Sequence, residues 1–293
     1  MRVEADCAAC VLSRAAAEVK EATTNPALRL RAMSDLLRLL TKEFRPTAVP
    51  ADLGTKRDRV IRRVTGNSDP YKRSKRVSNE KALKLLSYAK KLVEEGYTQE
   101  DRFKRACLCA VVGNIIEFDI PGHKATYSSL RKNFREASKD LVVDDISKAY
   151  ELAKKARTVL YLTDNAGEIV FDTLLVEQLK NMGLTVIVAV KGAPVINDAT
   201  LEDAEASGMS KIADKVITTG TDAVGLALKE VSAEFMSTYD SVDLIFAKGM
   251  GYAETFTEYK LKKPHLLLLR TKCNPVADFF GVPKEKNVAK LMP

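Results

Sequence analysis

The stretch Val159-Leu160-Tyr161-Leu162-Thr163-Asp164-Asn165-Ala166-Gly167-Glu168 reads as a buried strand that gives way, within a few residues, to a helix. A short and continuously apolar run suits a strand covered on both faces. In open α/β sheets, ligands bind where such strands end. Asp164 and Asn165 therefore put a carboxylate and a carboxamide at a ligand-binding edge, and hard oxygen donors there suit a divalent cation. The simpler alternative is that one of them caps the following helix.

Working outward, four more runs share this character: Thr185 to Val190, Lys215 to Thr218, Val242 to Ala247 and His265 to Leu269. Between them lie segments of helical period, Glu168 to Asn181, Ala199 to Ser207, Ala223 to Ser237 and Ala253 to Lys260. The alternation predicts an α/β fold over residues 156–293, a Rossmann-like and mostly parallel sheet flanked by helices. Residues 1–155 carry a different grammar. Ala8 to Ala22, Ala27 to Phe44, Lys56 to Val64, Asn79 to Glu95 and Gln99 to Glu117 repeat apolar residues at three and four, and strand-like alternation is nearly absent. Pro46 and Pro50, the Gly66-Asn67-Ser68-Asp69-Pro70-Tyr71 stretch and Ile120-Pro121-Gly122-His123 punctuate them, so this half is expected to be an α-helical domain.

Composition narrows the class. A chain of 293 residues that is 46% hydrophobic has enough apolar material for a sizeable core. It has no apolar run approaching the eighteen or so residues of a membrane span, and Met1-Arg2-Val3-Glu4-Ala5-Asp6 lacks the order of a signal peptide, so a cytoplasmic protein without a membrane partner is expected. Lys and Arg outnumber Asp and Glu by 47 to 39, a net charge of +8 that favours anionic ligands. There is no Trp and no RNA-binding aromatic signature, so nucleic acid is not the expected partner. Cys7 and Cys10 form a CxxC, and Cys107 with Cys109 a CxC. The four could make a zinc site or serve redox chemistry, but the first pair lies one turn apart on an apolar helix face, where free cysteine packs as a small hydrophobe.

If the five strands are parallel, the residues that follow them line one crevice. After the first come Asp164 and Asn165; after the second, Lys191-Gly192-Ala193-Pro194-Val195-Ile196-Asn197-Asp198; after the third, Thr219-Gly220-Thr221-Asp222; after the fourth, Lys248-Gly249-Met250-Gly251; after the fifth, Arg270-Thr271-Lys272. Turn chemistry explains the Gly and Asn but not the recurring cations. Asp164, Asn165 and Asp198 offer the hard oxygens that Mg²⁺ or Mn²⁺ takes from protein when water and a phosphate complete the shell. Lys248 and Lys272 would balance a phosphoryl group, an arrangement suited to phosphoester hydrolysis. Asp198 could instead cap a helix from Ala199. His123 and His265 do not enter this chemistry.

The same motifs resemble a family. Asp164-Asn165-Ala166-Gly167-Glu168, Ile196-Asn197-Asp198-Ala199-Thr200, Ala247-Lys248-Gly249 and Leu269-Arg270-Thr271-Lys272 look like the successive motifs of the DUF89 proteins, the ARMT1-like damage-control phosphatases. In the helical half, Asp69-Pro70-Tyr71 with Lys75 and Asn79, and Gly113-Asn114-Ile115-Ile116-Glu117, are similar to the family's DPY and GN-x-x-D elements, with Glu117 standing where Asp is expected. Cys7 and Cys10 match the CxxC opening of its prokaryotic and archaeal branch.

The resemblance implies a metal-dependent phosphatase, supported by Mn²⁺, Co²⁺, Ni²⁺ or Mg²⁺, that hydrolyses small phosphorylated metabolites. It implies that Asp164, Asn165 and Asp198 hold the metal, that Asp164, Lys248 and Asn114 take part in catalysis, and that the helical half covers the crevice. Lys248, Lys272, Asp69, Tyr71, Lys75 and Asn114 would then face the substrate. The chain lacks the DxD arrangement of aspartyl-phosphate enzymes, so direct attack by water and a covalent route both stay open. Two rivals are a methyltransferase using S-adenosylmethionine, which lacks its GxGxxG loop here, and a non-catalytic module for anionic metabolites.

Overall fold

The computed structural model describes residues 1–113 and 127–293. Asn114, Glu117 and His123 lie outside them. In chain order the helices α1 (Ala5–Ala22), α2 (Pro26–Glu43), α3 (Pro50–Thr65), α4 (Lys72–Glu94), α5 (Gln99–Gly113) and α6 (Tyr127–Glu136) precede the first strand, β1 (Leu141–Asp144), and α7 (Ile146–Ala153). Then follow β2 (Thr158–Leu162), α8 (Glu168–Asn181), β3 (Thr185–Val190), α9 (Leu201–Ala206), α10 (Met209–Ile212) and β4 (Lys215–Thr218). The chain ends with α11 (Ala233–Ser241), β5 (Leu244–Lys248), α12 (Met250–Phe256), β6 (His265–Arg270), α13 (Asn274–Phe280) and β7 (Asn287–Met292).

All five expected strands are present and mutually parallel where they pair, in the order β6-β5-β2-β3-β4. Two more strands extend the sheet beyond the sequence reading: β7 runs antiparallel to β6, and β1 pairs with β7 at the edge. β1 is only 4 residues long and alternately exposed, β7 is buried over its first half alone, and both lack the continuous apolar run that marks a central strand. β1 lies before residue 156, so the first 155 residues are not exclusively helical. Residues 223–232, expected to open a helix, form turns instead, and α11 begins only at Ala233 behind a Ser232 cap.

The strands bury both faces, as their composition requires. Val159, Tyr161, Val186, Val188, Leu244 and Phe246 point to one side and pack with α4, α5 and α8. Leu160, Leu162, Ala189, Ile245, Ala247 and Leu267 point to the other and pack with α11, α12 and α13. The alternation follows from the period of two along each strand. α4 and α5 thus belong to the first sandwich layer: Phe103 of α5 is fully buried, with its ring centroid 6.1 Å from that of Phe246 on β5 and 5.4 Å from that of Tyr150 on α7. α1, α2 and α3 form their own cluster around Val11, Ala15, Leu36, Leu53 and Ile61.

This topology fixes one place for a ligand. From β2 the chain runs outward through β3 to β4, then crosses back to lay β5 on the other side of β2. The carboxyl ends of β2 and β5 therefore flank the point where the winding reverses, the usual position of a ligand crevice in such sheets. Among the described residues no helix is long and apolar enough to cross a membrane. If α5 is a layer of the core rather than a detachable cover, Phe103→Ala will lower unfolding free energy by about 3 to 5 kcal/mol in a denaturant titration. A loss below about 1 kcal/mol would show that α5 contributes little to the core.

Candidate active site

The loop after β2 and the loop after β3 are stitched together by their backbones. Ala199 N–H donates to Asp164 O at 2.8 Å and Ala166 N–H to Asn197 O at 2.9 Å, so that Asn165 and Asp198 stand opposite each other in an isolated antiparallel bridge. Asp164 and Asn165 thereby line one cavity of about 200 Å³ with Asp198, which is distant in the sequence, and with Lys272 from the end of β6. Neither helix-capping alternative holds. The N-cap of α8 is Gly167 and that of α9 is Thr200, which closes a capping box with Asp203, so the two Asp side chains are not spent on caps.

Close approach around Asp164 depends on Gly249, the residue after β5. A Cβ built there would lie 1.9 Å from Asp164 Oδ2, and the residue holds φ at +84°, which favours glycine. The carboxylates themselves are crowded. Burial, followed by the nearby charges of Glu168 and Asp198, pushes the Asp164 carboxyl well above the usual range. Burial also pushes Asp198 up to about 6, against the pull of Lys191. Lys191 Nζ sits 3.6 Å from Asp198, donates to Gly225 O at 2.8 Å and lies 4.9 Å from the Tyr252 ring centroid. Burial alone would lower its affinity for a proton, but Tyr252, Asp198 and Asp164 overcome that and raise it.

Lys248 stands behind this crevice and does not line it. Its ammonium is fully buried and donates to Ala110 O at 2.8 Å, Glu168 Oε1 at 2.6 Å and Asp172 Oδ1 at 2.7 Å, so all three of its hydrogens meet protein oxygens. Burial works against the charge, but Asp172 and Glu168 hold it in place and raise its pKa. Glu168 in turn accepts from Asn165 Nδ2 at 3.0 Å, and the same Nδ2 donates to Asp164 Oδ2 at 2.9 Å. The expected substrate contact is thus a residue that positions Asn165 and Asp164. α5 ends beside it at Gly113, where a Cβ would come within 3.2 Å of Phe171 and 3.4 Å of Glu168, so the last turn of that helix packs closely on the start of α8.

Asp69, Tyr71 and Lys75 also stand away from the cavity wall. Lys75 Nζ bonds Asp69 at 2.9 Å and lies 3.8 Å from Asp203. One turn on, Asn79 donates to Asp203 Oδ1 at 2.9 Å and accepts the Gly167 N–H at 2.6 Å. This group braces the loop after β2 against α9. A second brace comes from α3: the fully buried Asp58 accepts the Ile196 N–H at 3.1 Å and pairs with Arg62 at 2.6 Å. Ile196 has a φ of +46°, a left-handed conformation that is costly for a β-branched residue and clusters at functional sites.

Among the cavity-wall residues that escaped the sequence reading are two charged ones on helices of the two halves. Arg57 and Glu254 lie on segments read as ordinary amphipathic helices. A signal for Arg57 was present: Leu53, Arg57, Val60 and Ile61 share one buried stripe of α3, so an arginine occupies an apolar position. Glu254 is pushed up to about 7 by burial, against the attraction of the N-terminal ammonium and Arg14.

The cysteines remain free thiols. Cys107 and Cys109 are core residues of α5, and burial raises both. On α1 the buried stripe runs Cys7, Val11, Ala15 and Val19, which leaves Cys10 exposed, unlike the shared apolar face expected. Among the described residues no cluster of three or more His, Cys, Asp or Glu could by itself hold a metal ion. His265 is structural, with Nδ1–H donating to Lys263 O and Nε2 accepting from Tyr239, each at 2.7 Å.

The architecture matches proteins already known. The model of the damage-control phosphatase ARMT1-like domain matches residues 3–288. A protein of Archaeoglobus fulgidus named damage-control phosphatase is 35% identical, with 100% of both chains covered. A damage-control phosphatase of Pyrococcus horikoshii is 36% identical over 97% of this chain and 96% of its own. The crystal structure of a DUF89 family protein from Pyrococcus horikoshii superposes with a TM-score of 0.88 at 35% identity, covering 99% of this chain and 98% of that one. With a match from near one terminus to near the other and a cavity at the switch point of the sheet, this chain belongs to the ARMT1-like damage-control phosphatase family.

Proposed function

We propose that this protein is a divalent-metal-dependent phosphatase that hydrolyses phosphate monoesters of small metabolites, with Asp164, Asn165 and Asp198 as the protein ligands of the cation. The observation that carries the reading is the pair of buried carboxylates, Asp164 and Asp198, brought to the wall of one cavity by the Asn165–Asp198 bridge, with the Asp164 carboxyl pushed up by burial and by the charges of Glu168 and Asp198. Folding buried like charges together is unfavourable, and a dication reverses the sign of that term. The donor set fits the group: two carboxylates and a carboxamide oxygen are hard ligands, and they leave room for water and a phosphate. Mn²⁺, Co²⁺, Ni²⁺ and Mg²⁺ all accept such ligands.

When bound, the cation would stabilise charge on the nonbridging oxygens of the phosphoryl group. The remaining roles fall to the chain. Asn165 is oriented by Asp164 and Glu168, and Glu168 by Lys248, so that its Nδ2 is committed to the carboxylates and its Oδ1 is left for ligation. Lys272 lines the cavity and provides positive charge for the phosphate. Glu254 is the carboxyl in the wall whose proton is held near neutrality, and it suits delivery of a proton to the departing alkoxide as water attacks from the opposite side. Asp69, Lys75 and Asn79 keep the first loop in register.

Asp164→Asn will abolish phosphate release from model phosphoesters in the presence of Mn²⁺, by a factor of about 10³ or more, while the variant stays folded. The sign of its effect on stability follows from the raised pKa. A carboxyl whose folded value lies above its unfolded one stabilises the protein at low pH, and that contribution is lost as pH rises through the folded value. Metal-free Asp164→Asn at pH 7.5 will therefore melt no lower than wild type, and up to about 4 °C higher for each kcal/mol relieved. Mn²⁺ will raise the melting temperature of wild type and not of the variant; an equal rise in both would refute ligation at Asp164.

A group that must donate a proton works below its pKa. Turnover will thus fall as pH rises through about 7, and Glu254→Gln will flatten that alkaline limb in a pH-rate profile. An unchanged limb would remove Glu254 from the proton transfer.

A further inference from the structure

The CxxC of α1 has no part in the phosphatase chemistry, yet the fold carries it to the cavity wall. Asp6, Cys10 and Arg14 recur every four residues along α1 and all line the cavity, so one face of that helix looks into it. Cys273, the N-cap of α13, lines the same cavity and directly follows Lys272. The two elements are fastened at this point, where Asn274 Nδ2 donates to Asp6 Oδ2 at 2.9 Å. Asp6 stands one turn before Cys10 on the shared face, at a spacing that leaves about 5–6 Å between Cβ atoms, and Asn274 is the chain neighbour of Cys273. The thiols are close enough to sense one another: burial raises the Cys273 pKa, a hydrogen bond with the Val276 backbone opposes that, and the charges of Glu254, Cys10 and Cys7 raise it further.

We propose that Cys10 and Cys273 form an oxidative modification site, a dithiol that a peroxide converts to a disulfide joining α1 to the entry of α13 and so restricting the cavity between them. Exposure selects the sulfur that reacts first, since Cys10 is exposed, Cys273 half-buried and Cys7 buried. The Cys10 sulfur attacks the peroxide, an S–O bond forming as the O–O bond breaks, and the thiol proton leaves with the departing oxygen as water or an alcohol. The Cys273 sulfur then displaces the sulfenic oxygen, which departs as water with the second thiol proton as the S–S bond forms. Two thiols are oxidised and one peroxide is reduced.

Cys7 is closer to Cys10 in sequence but is the poorer partner. Residues three apart on a helix keep their Cβ atoms about 5–6 Å apart, beyond the roughly 3.5–4.5 Å of a disulfide. The first turn of α1 is also held as it stands, because Cys7 N–H donates to Glu4 O at 2.9 Å and Glu4 N–H donates to Cys7 Sγ at 3.4 Å, which aims that sulfur back toward the start of the helix. Cys273 has an extended backbone ahead of a helix of 7 residues, and the end of a short helix shifts at less cost than the interior of a long one. The bond would tie the neighbouring Lys272 to α1. Its effect on turnover rests on the phosphatase reading above, whereas its formation does not.

The test treats the full metal-free chain with hydrogen peroxide, removes the peroxide, and maps cysteine pairing by mass spectrometry of a nonreducing digest. The expected product is a peptide pair joined through Cys10 and Cys273, lost on reduction with a phosphine, absent from Cys10→Ser and Cys273→Ser, and still formed in Cys7→Ser. A bond within the CxxC, or Cys10 carried on to the sulfinic acid with no bond, would overturn the proposal. Turnover gives the second readout. Mn²⁺-supported hydrolysis of p-nitrophenyl phosphate will fall about 10- to 100-fold on oxidation of wild type and less than about twofold in Cys10→Ser, each against its own untreated rate, and reduction will restore it. A mapped Cys10–Cys273 bond with undiminished turnover would also overturn the proposal. An untreated wild type that hydrolyses no phosphoester with any divalent metal would instead bring down the phosphatase reading, and the mapped bond would stand apart from it.

Discussion

A buried ammonium organises this molecule. Lys248 sits at the end of the central strand β5, fully enclosed, and is held by a main-chain oxygen of α5 and two carboxylates of α8. A charge in that position is tolerated only if it is paired and fully hydrogen-bonded, which the three contacts achieve. The same contacts tie the sheet to α5 and α8 of its first layer. Through Glu168 they also fix Asn165, and through Asn165 the orientation of Asp164. Removing one partner would leave an uncompensated charge in the core, so the network joins stability and site geometry in one set of atoms.

The same pattern recurs at smaller scale around the cavity. Asp58 holds the left-handed Ile196, Asn79 holds Gly167, and Lys191 stands behind Asp198. Asp58 and Asn79 reach from α3 and α4, and Lys191 from the same loop as Asp198, to loops that carry a candidate ligand. Loops after parallel strands would otherwise be the mobile parts of the structure, and ligand geometry needs them fixed within a fraction of an ångström. The cost is visible in the strained backbone at Ile196 and in carboxyls such as Asp164 that burial disfavours in their charged form. Such local costs are characteristic of sites selected for chemistry rather than for stability.

Much of this was legible in the linear chain. The five apolar runs are strands because their composition suits burial on both faces, and the motif order after them marks one edge of the sheet. Asp164, Asn165, Asp198 and Lys272 could be placed there from strand ends alone, and they meet in one cavity. The enclosure of Lys248 against Glu168 and Asp172 is not visible in the sequence, because a Lys-Gly step after a strand looks the same whether the side chain faces a ligand or a buried carboxylate. Asp69 and Lys75, expected to face the substrate, pair with each other away from the cavity wall, a placement a motif does not record because it shows which residues are needed and not which of them touch the ligand. Arg57 went unnoticed although it interrupts an apolar stripe, because a charge at such a position becomes informative only when its surroundings are known.

By itself the sequence determined the strands, the helices and the edge on which the chemistry lies, because periodicity and burial act over a few residues at a time. Tertiary structure alone decided which charges neutralise one another: that Lys248 meets Glu168 and Asp172, that Arg57 meets Glu18, and that Asp164 and Asp198 line one cavity with Lys191 behind Asp198. Electrostatic partners are chosen by distance in space, and the energy of each pair depends on how much water folding removes from around it. Neither quantity is written in the order of the residues.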